Sequence, residues 1–230
     1  MQNDHIEVEI FRYDPGCDVK PRYDTYIVPR TRGMTVLEAL KYIYDNEAPV
    51  AFRYSCRHNV CGTCGVMVNG QPSLACATTV APKIRLEPLR GFPIVRDLVV
   101  DFDDCYTKRL KLRPFLDTQG KVELRPELIS FDVVEQYKQF ISCIHCYLCL
   151  AACPLVEEYG YRFAGPAIMS DVAMQSHDPR DQGDRLGVAI SEEVLRCDQC
   201  GKCVEVCPVK LPVDKIIYEY FQEMAHKKQS

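Results

Sequence analysis

Several kinds of chemistry are missing from this sequence. No Gly-rich loop is built to cradle a phosphate, no HExxH pair offers a zinc site on a helix, and no Ser, His and Asp set makes a nucleophilic triad. Basic charge is not in excess: 28 Lys and Arg stand against 32 Asp and Glu, a net charge of −4. That excludes a protein that holds nucleic acid through a basic surface. Tryptophan is absent. Met1 to Ile10 carries Asp4, Glu7 and Glu9 and lacks the apolar centre of a secretory leader. Histidine is scarce: of His5, His58, His145, His177 and His226, two sit inside cysteine loops, and all five read as surface or packing residues. Two stretches hold no Asp, Glu, Lys or Arg. His58 to Pro82 is broken by glycines, Asn69 and Pro72, so it reads as loop and hairpin. Gln139 to Val156 is short of the ~20 apolar residues a spanning helix needs, and it carries four cysteines and Cys153-Pro154.

What the sequence has in abundance is cysteine, 14 in 230 residues. Disulfides in a secreted protein are one explanation. The missing leader and the length of the chain oppose it. So does the clustering: all but Cys17 and Cys105 fall into three tight runs. Cysteines two or three residues apart pair poorly with one another but can share a metal centre. Cys17 and Cys105 read as ordinary thiols.

Along the chain, Ile6, Val8 and Ile10 alternate with Glu7 and Glu9, the pattern of a strand with one wet face. Asp14-Pro15-Gly16 makes a turn and Arg22 to Val28 a returning strand. Thr35 with Glu38 forms a capping box ahead of a helix whose apolar face is Val36, Leu37, Leu40, Ile43 and Tyr44. Gly65 to Gly70 reads as a strand entering an Asn-Gly hairpin, and Leu98 to Phe102 as a last strand. Near residues 100–107 the character changes to helices between cysteine runs. Val133, Val134, Tyr137, Phe140 and Ile141 form one helical face. Val213, Ile216, Ile217, Tyr220, Phe221 and Met224 form another, begun by Pro212. Asp178 to Arg185 is a charged loop, and His226 to Ser230 reads as a frayed tail. The fold class is α+β: residues 1–103 form a small sheet crossed by one helix, of the plant-type ferredoxin (β-grasp) kind. Residues 104–230 form a mainly helical domain of the bacterial ferredoxin kind.

The first run is Cys56-x4-Cys61-x2-Cys64, with Cys76 after a gap of eleven residues. This is the spacing of a plant-type [2Fe–2S] site. Gly62 and Gly65 allow the backbone to approach the sulfurs. A four-cysteine zinc site is the alternative, but zinc favours paired C-x2-C knuckles over three cysteines in one loop. The second and third runs share one pattern: Cys143-x2-Cys146-x2-Cys149-x3-Cys153-Pro154 and Cys197-x2-Cys200-x2-Cys203-x3-Cys207-Pro208. In bacterial ferredoxins the fourth cysteine of each run serves the other cluster. One [4Fe–4S] centre is then expected on Cys143, Cys146, Cys149 and Cys207. A third cluster is expected on Cys153, Cys197 and Cys203, [3Fe–4S] as such or [4Fe–4S] with Cys200. Three such centres and no competing chemistry imply a relay of single electrons. Catalytic residues are expected on partner chains, where a flavin could exchange electrons one at a time.

These motifs resemble the iron–sulfur subunit of succinate dehydrogenase and quinol:fumarate reductase. The resemblance is carried by Ser55-Cys56-Arg57, Cys61-Gly62-Thr63-Cys64, Asn69-Gly70 and Leu74-Ala75-Cys76. It extends through Glu87-Pro88-Leu89, Arg96 to Asp101, Gly165-Pro166-Ala167, Arg180-Asp181 and Arg185-Leu186. It implies an N-terminal domain touching a flavoprotein subunit with FAD. It also implies a C-terminal domain touching a membrane anchor that binds quinone and often haem b, peripheral on the cytoplasmic face of the cell membrane. Two departures from the family matter. Members usually carry a non-cysteine residue at the position of Cys200, and their third centre is [3Fe–4S]; a fourth thiolate here would admit a fourth iron. Ubiquinone-reducing members place a Trp and a His where this chain has Glu158 and Asp198, so a menaquinone site fits better. A fumarate reductase that draws electrons from thiols shares the same motifs and can carry the extra cysteine. A free-standing electron carrier and a zinc-binding interaction protein remain the other classes.

Crossed ligation makes the two C-terminal centres interdependent, since metal binding and folding are coupled there. Replacing Cys153 or Cys207 by Ser is expected to cost both clusters, seen as loss of their visible absorbance and of helical circular dichroism together; survival of one intact centre would contradict the crossing.

Overall fold

The computed structural model describes residues 5–120, 129–160, 163–215, 217–219 and 222. It divides into two compact units: Met1–Phe102 with Ile144–Ala152, and Asp103–Cys143 with Cys153–Ser230.

In the first unit, strand β1 (His5–Arg12) pairs antiparallel with β2 (Arg22–Pro29) and parallel with β5 (Lys83–Glu87). The hairpin of β3 (Gly65–Val68) and β4 (Gln71–Leu74) completes a five-stranded sheet in the order β2-β1-β5-β3-β4. On β1, Ile6, Val8 and Ile10 point into the core, while Glu7 meets Lys83 of β5 at 2.7 Å on the wet face. The β3–β4 turn is Asn69-Gly70 with both φ values positive, the requirement of a type I′ hairpin turn. Pro72 lacks an N–H for a ladder and is tolerated because β4 is an edge. Helix α1 (Val36–Asn46) carries its capping box: Thr35 Oγ1 accepts from Glu38 N–H at 3.2 Å, and Glu38 accepts from Thr35 N–H at 2.7 Å. Val36, Leu37, Leu40 and Ile43 are buried, but Tyr44, expected on the same face, is 56% exposed. Its ring lies edge-on to Phe52 instead, at 6.1 Å.

Strand β5 and the two strands after residue 90 depart from the sequence reading. The expected last strand at Leu98–Phe102 shrinks to β7 (Val99–Val100), paired only with β6 (Ile94–Arg96) in a small separate ribbon. Asp97, at φ +46°, makes the turn between them. Strand β5 is absent from the sequence reading, although Ile84 and Leu86 are buried while Lys83 and Arg85 face out. Its short run of charges hides a strict period of two.

The turn at Asp97 anchors this unit. Its carboxylate accepts from Arg12 Nε at 3.1 Å, from Tyr13 N–H at 3.1 Å and from Ala51 N–H at 2.9 Å. Arg12 is the one charged residue on the inward face of β1, and it also donates to Tyr26 Oη at 2.8 Å and to the Pro49 carbonyl at 2.9 Å.

The second unit is helical: α2 (Asp103–Lys111), α3 (Phe131–Ile141), α5 (Pro154–Tyr159), α6 (Pro166–Ser176), α7 (Arg185–Ser191) and α8 (Lys202–Glu205). The short α4 (Leu148–Ala151) lies in the first unit. Helix α6 is buried along nearly its whole length, with Ile168, Met169, Val172 and Ala173 in the core. Its Asp171 pairs with Arg109 of α2 at 2.8 Å. Of the face expected on α3, Phe140 is buried but Ile141 is exposed; the side chain of Tyr137 lies outside the described residues. Of the last expected face, Val213 and Ile217 are buried, whereas Ile216, Tyr220, Phe221 and Met224, like the tail His226 to Ser230, lie outside the described residues. The charged loop from Asp178 is more structured than its composition suggests. Arg185 at its end is buried, holds Asp181 at 2.7 Å and donates to the Phe115 carbonyl at 2.9 Å. No described helix is long and apolar enough to cross a membrane.

Removing Asp97 leaves Arg12 the Asp24 carboxylate, at 3.2 Å, and takes the acceptor from the partly buried Tyr13 and Ala51 N–H groups, at ~1–3 kcal/mol for each stranded donor. Asp97→Ala is expected to destabilise the first unit by roughly 3 kcal/mol, read as a lower urea midpoint for loss of its visible absorbance. A midpoint equal to that of the parent would remove Asp97 from the framework.

Candidate metal centres

The first run lies between α1 and β3, and Cys76 follows β4. Arg57, Asn59 and Gly62 adopt left-handed conformations, which turn successive backbone N–H groups toward one side of the loop. Those groups meet sulfur. Cys56 Sγ accepts from His58, Val60 and Cys61 N–H at 3.3–3.4 Å. Cys61 Sγ accepts from Cys56 N–H at 3.5 Å, and Cys76 Sγ from Asn59 N–H at 3.4 Å. The Thr63 hydroxyl stands 2.8 Å from Cys61 Sγ. Burial opposes ionisation of Cys61, but Thr63 and the N–H groups outweigh it and bring the thiol down to about 6. Cys64 is pushed up to about 12 by burial, with Cys76 and Cys61 close enough to add to the effect. None of the four is in a disulfide. The donor set fits a negative [2Fe–2S] cluster: sulfur ligands, with fixed N–H dipoles already aimed at them.

The second and third runs repeat one backbone form. His145 and Gln199 share a left-handed conformation, as do Tyr147 and Gly201, and α4 and α8 begin at equivalent places. The internal pseudo-repeat is therefore a repeat of conformation as well as of spacing. The second run is divided. Cys146 and Cys149 belong to the first unit, with Ile144–Ala152. The sequence reading gives that stretch to the helical domain. It packs in the first unit because Tyr147, Leu148 and Leu150 are buried there, with the Tyr147 ring 4.9 Å from Phe102 and 6.4 Å from Phe92. Cys207 belongs to the core of the second unit, where its Sγ accepts from Leu211 N–H at 3.4 Å, and Cys143 packs against that core, partly buried.

Within the second unit, Cys153, Cys197, Cys200 and Cys203 line one cavity, walled by Leu155, Phe163, Pro166 and Ile217. Burial pushes Cys203 up to about 12 and raises Cys153 and Cys197, and each feels the charge of its neighbours, Cys200 included. Such thiols ionise where bound cations take up their charge, which suits a metal centre. Among the described residues no three His, Cys, Asp or Glu side chains converge on one point as ligands of a single ion. A cluster of several irons spaces its thiolates more widely than one zinc at ~2.3 Å from each sulfur.

Sequence reasoning misses Thr63, whose only signal is its place inside Cys61-x2-Cys64. It misses Tyr147 as well, since an aromatic residue inside a cysteine run looks like a loop residue until its burial is seen.

Two family models match the regions that hold the cysteine runs. The family described as "2Fe-2S iron-sulfur cluster binding domain" matches residues 7–107, and "4Fe-4S dicluster domain" matches 139–211. The fumarate reductase iron–sulfur subunit of Mycobacterium tuberculosis is 39% identical over 89% of this chain and 87% of its own length. One of the subunits of the fumarate reductase (CoM/CoB) of Methanothermobacter marburgensis is 34% identical over 96% of this chain and 44% of its own length. The chain thus spans less than half the length of the methanogen relatives it matches. A chain of the Mycobacterium smegmatis Sdh1 complex in the apo form superposes with a TM-score of 0.91 at 26% identity, covering 98% of both.

A hydroxyl donating to a ligand sulfur stabilises the more negative, reduced state. Thr63→Val is expected to lower the midpoint potential of the first centre by roughly 40 mV, the one-electron equivalent of ~1 kcal/mol. A redox titration of its paramagnetic signal measures this, and an unchanged or higher potential would deny the contact a role.

Proposed function

The chain belongs to the family of fumarate reductase and succinate dehydrogenase iron–sulfur subunits, and from that premise we propose that it relays single electrons between FAD in a flavoprotein subunit and a menaquinone-type site at a membrane anchor. It sits peripherally on the cytoplasmic face of the cell membrane, with residues 1–103 toward the flavoprotein and 104–230 toward the anchor. Substrate chemistry belongs to the flavoprotein. The observation that carries the reading is the thiol gathered in successive groups along one chain, beside no other constellation of catalytic groups among the described residues.

The ligand sets follow. Cys56, Cys61, Cys64 and Cys76 hold [2Fe–2S]; Cys143, Cys146, Cys149 and Cys207 hold [4Fe–4S]; Cys153, Cys197 and Cys203 hold the third cluster. Each cluster, when bound, supplies a place to store one electron. The residues of this chain set how readily. The N–H groups of His58, Val60 and Cys61 converge on Cys56 and need no reorganisation when charge arrives. Leu155, Phe163 and Ile217 shield part of the third site from water, beside a polar lining of Asp198, Lys202 and Asp214, and Cys200 is exposed. Cys200 lines that same cavity, and we assign it as a fourth thiolate, making the third centre [4Fe–4S]. Cys200→Ser is then expected to convert the third centre to [3Fe–4S], gaining the corresponding signal in the oxidised protein kept from air. That signal at full strength in the parent would overturn the assignment.

A second reading, a fumarate reductase that draws its electrons from thiols, is favoured by Cys200 and by the likeness to the CoM/CoB enzyme. The purified complex separates the two. Reduction of fumarate with reduced menaquinone analogues, faster than with ubiquinone analogues and absent with CoM and CoB thiols, is the expected result; activity with the thiols alone would establish the second reading.

A further inference from the structure

The loop of the first centre and the middle of the second run meet through a missing side chain. Gly62 sits between Cys61 and Cys64 at φ +72°. A β-carbon placed on it falls 2.6 Å from the Ile144 carbonyl oxygen, 3.0 Å from the Cys146 Cβ and 3.1 Å from the Cys146 Cα. Three residues on, a β-carbon on Gly65 would stand 3.4 Å from the Cys146 carbonyl oxygen, and 3.1–3.2 Å from the tips of Leu89 and Leu148. Both contacts lie within the first unit.

The need for glycine at 62 is more than a matter of turn geometry. Arg57 and Asn59, in the same loop, hold φ values of 61° and 59° with side chains in place. What distinguishes Gly62 is the backbone pressed against it. That backbone has little freedom to retreat, because Tyr147 behind it is buried against Phe92 and Phe102. A flexible side chain could swing aside; a carbonyl oxygen on a packed segment cannot.

We propose that Gly62 is the spacer of the relay: its bare α-carbon lets the Cys61–Cys64 loop and Cys146 touch, fixes the separation of the first and second centres, and provides the path the electron takes between them. Gly62 is a positioning residue, not a ligand. One electron leaves the first centre as the second gains one; no bond forms or breaks and no proton moves. Tunnelling and magnetic exchange both fall exponentially with distance, so a shift of a few tenths of an ångström registers in each. The inference rests on Cys146 being a ligand of the [4Fe–4S] centre, as proposed above.

The test uses the anaerobically purified complex with three variants. Gly62→Ala forces the loop and Cys146 apart. Gly33→Ala repeats the same left-handed backbone strain, at φ +75°, with no atom within 4 Å, and serves as control. Gly65→Ala meets chiefly flexible side-chain tips and serves if Gly62→Ala does not fold. Two quantities are read: the rate at which a photoreduced first centre passes its electron to the second, and the relaxation enhancement of the [2Fe–2S] signal when both centres are reduced. Gly62→Ala is expected to slow transfer by about twofold and to weaken the enhancement with each cluster present, the rate being compared at the driving force given by the variant's own midpoint potentials. Gly65→Ala should act in the same direction but less, and Gly33→Ala not at all. Unchanged transfer and relaxation in Gly62→Ala, or in Gly65→Ala where that variant alone folds, overturns the spacer, as does an equal change in Gly33→Ala. Cys146→Ser separates the two layers of the argument. If the second centre's signal survives that change, the ligand assignment fails and the spacer with it; if the signal is lost, a null result in the glycine variants overturns the spacer alone.

Discussion

A thiolate buried in protein is expensive unless fixed dipoles or cations meet its charge, and this chain is organised around that constraint. The first cysteine loop answers with backbone: left-handed residues at 57, 59 and 62 turn N–H groups onto Cys56, Cys61 and Cys76. The third site answers differently. Its thiols are held up by burial and by one another, so they ionise only with metal to share the charge. The first site is therefore ready in part, at Cys61, while Cys64, like the thiols of the third site, is held up by burial and needs the metal to share its charge.

The framework around the sites keeps those loops in place with interactions of long sequence reach. Asp97 ties β1 and the segment at Ala51 to one turn. Tyr147 pins the second run between Phe92 and Phe102. In the second unit, Arg185 gathers carbonyls from the stretch after α2 while holding Asp181. Each is a polar or aromatic side chain in contact on several sides at once, and each fixes backbone within a few residues of a cysteine run or of the loop between two runs. A relay needs this rigidity more than it needs mobility, since its rates follow separations.

Much of this is legible in the residues. Cysteine spacing marks three sites, the alternation of Ile6, Val8 and Ile10 marks β1, and Thr35 with Glu38 marks the start of α1. Asn69-Gly70 marks the hairpin. The failures have physical causes. Strand β5 is bracketed by prolines and half charged, and its place beside β1 comes from long-range pairing that local pattern does not carry. Tyr44 keeps helical spacing with the core but lies at the edge of the stripe, where an aromatic neighbour holds it at the surface. The packing of Ile144–Ala152 in the first unit is illegible because the burial of Tyr147 overrides the chain order that would otherwise define a domain.

In the proposed function the polypeptide is a conductor: metal and sulfide would carry charge, and amino acids would set spacing and potential. Redox titration of the anaerobically purified complex, followed by electron paramagnetic resonance at low temperature, tests this most directly. Three separately titrating one-electron centres, accompanied by iron and acid-labile sulfide, are the predicted result. Protein with bound zinc, no labile sulfide and no redox-active signal would contradict it.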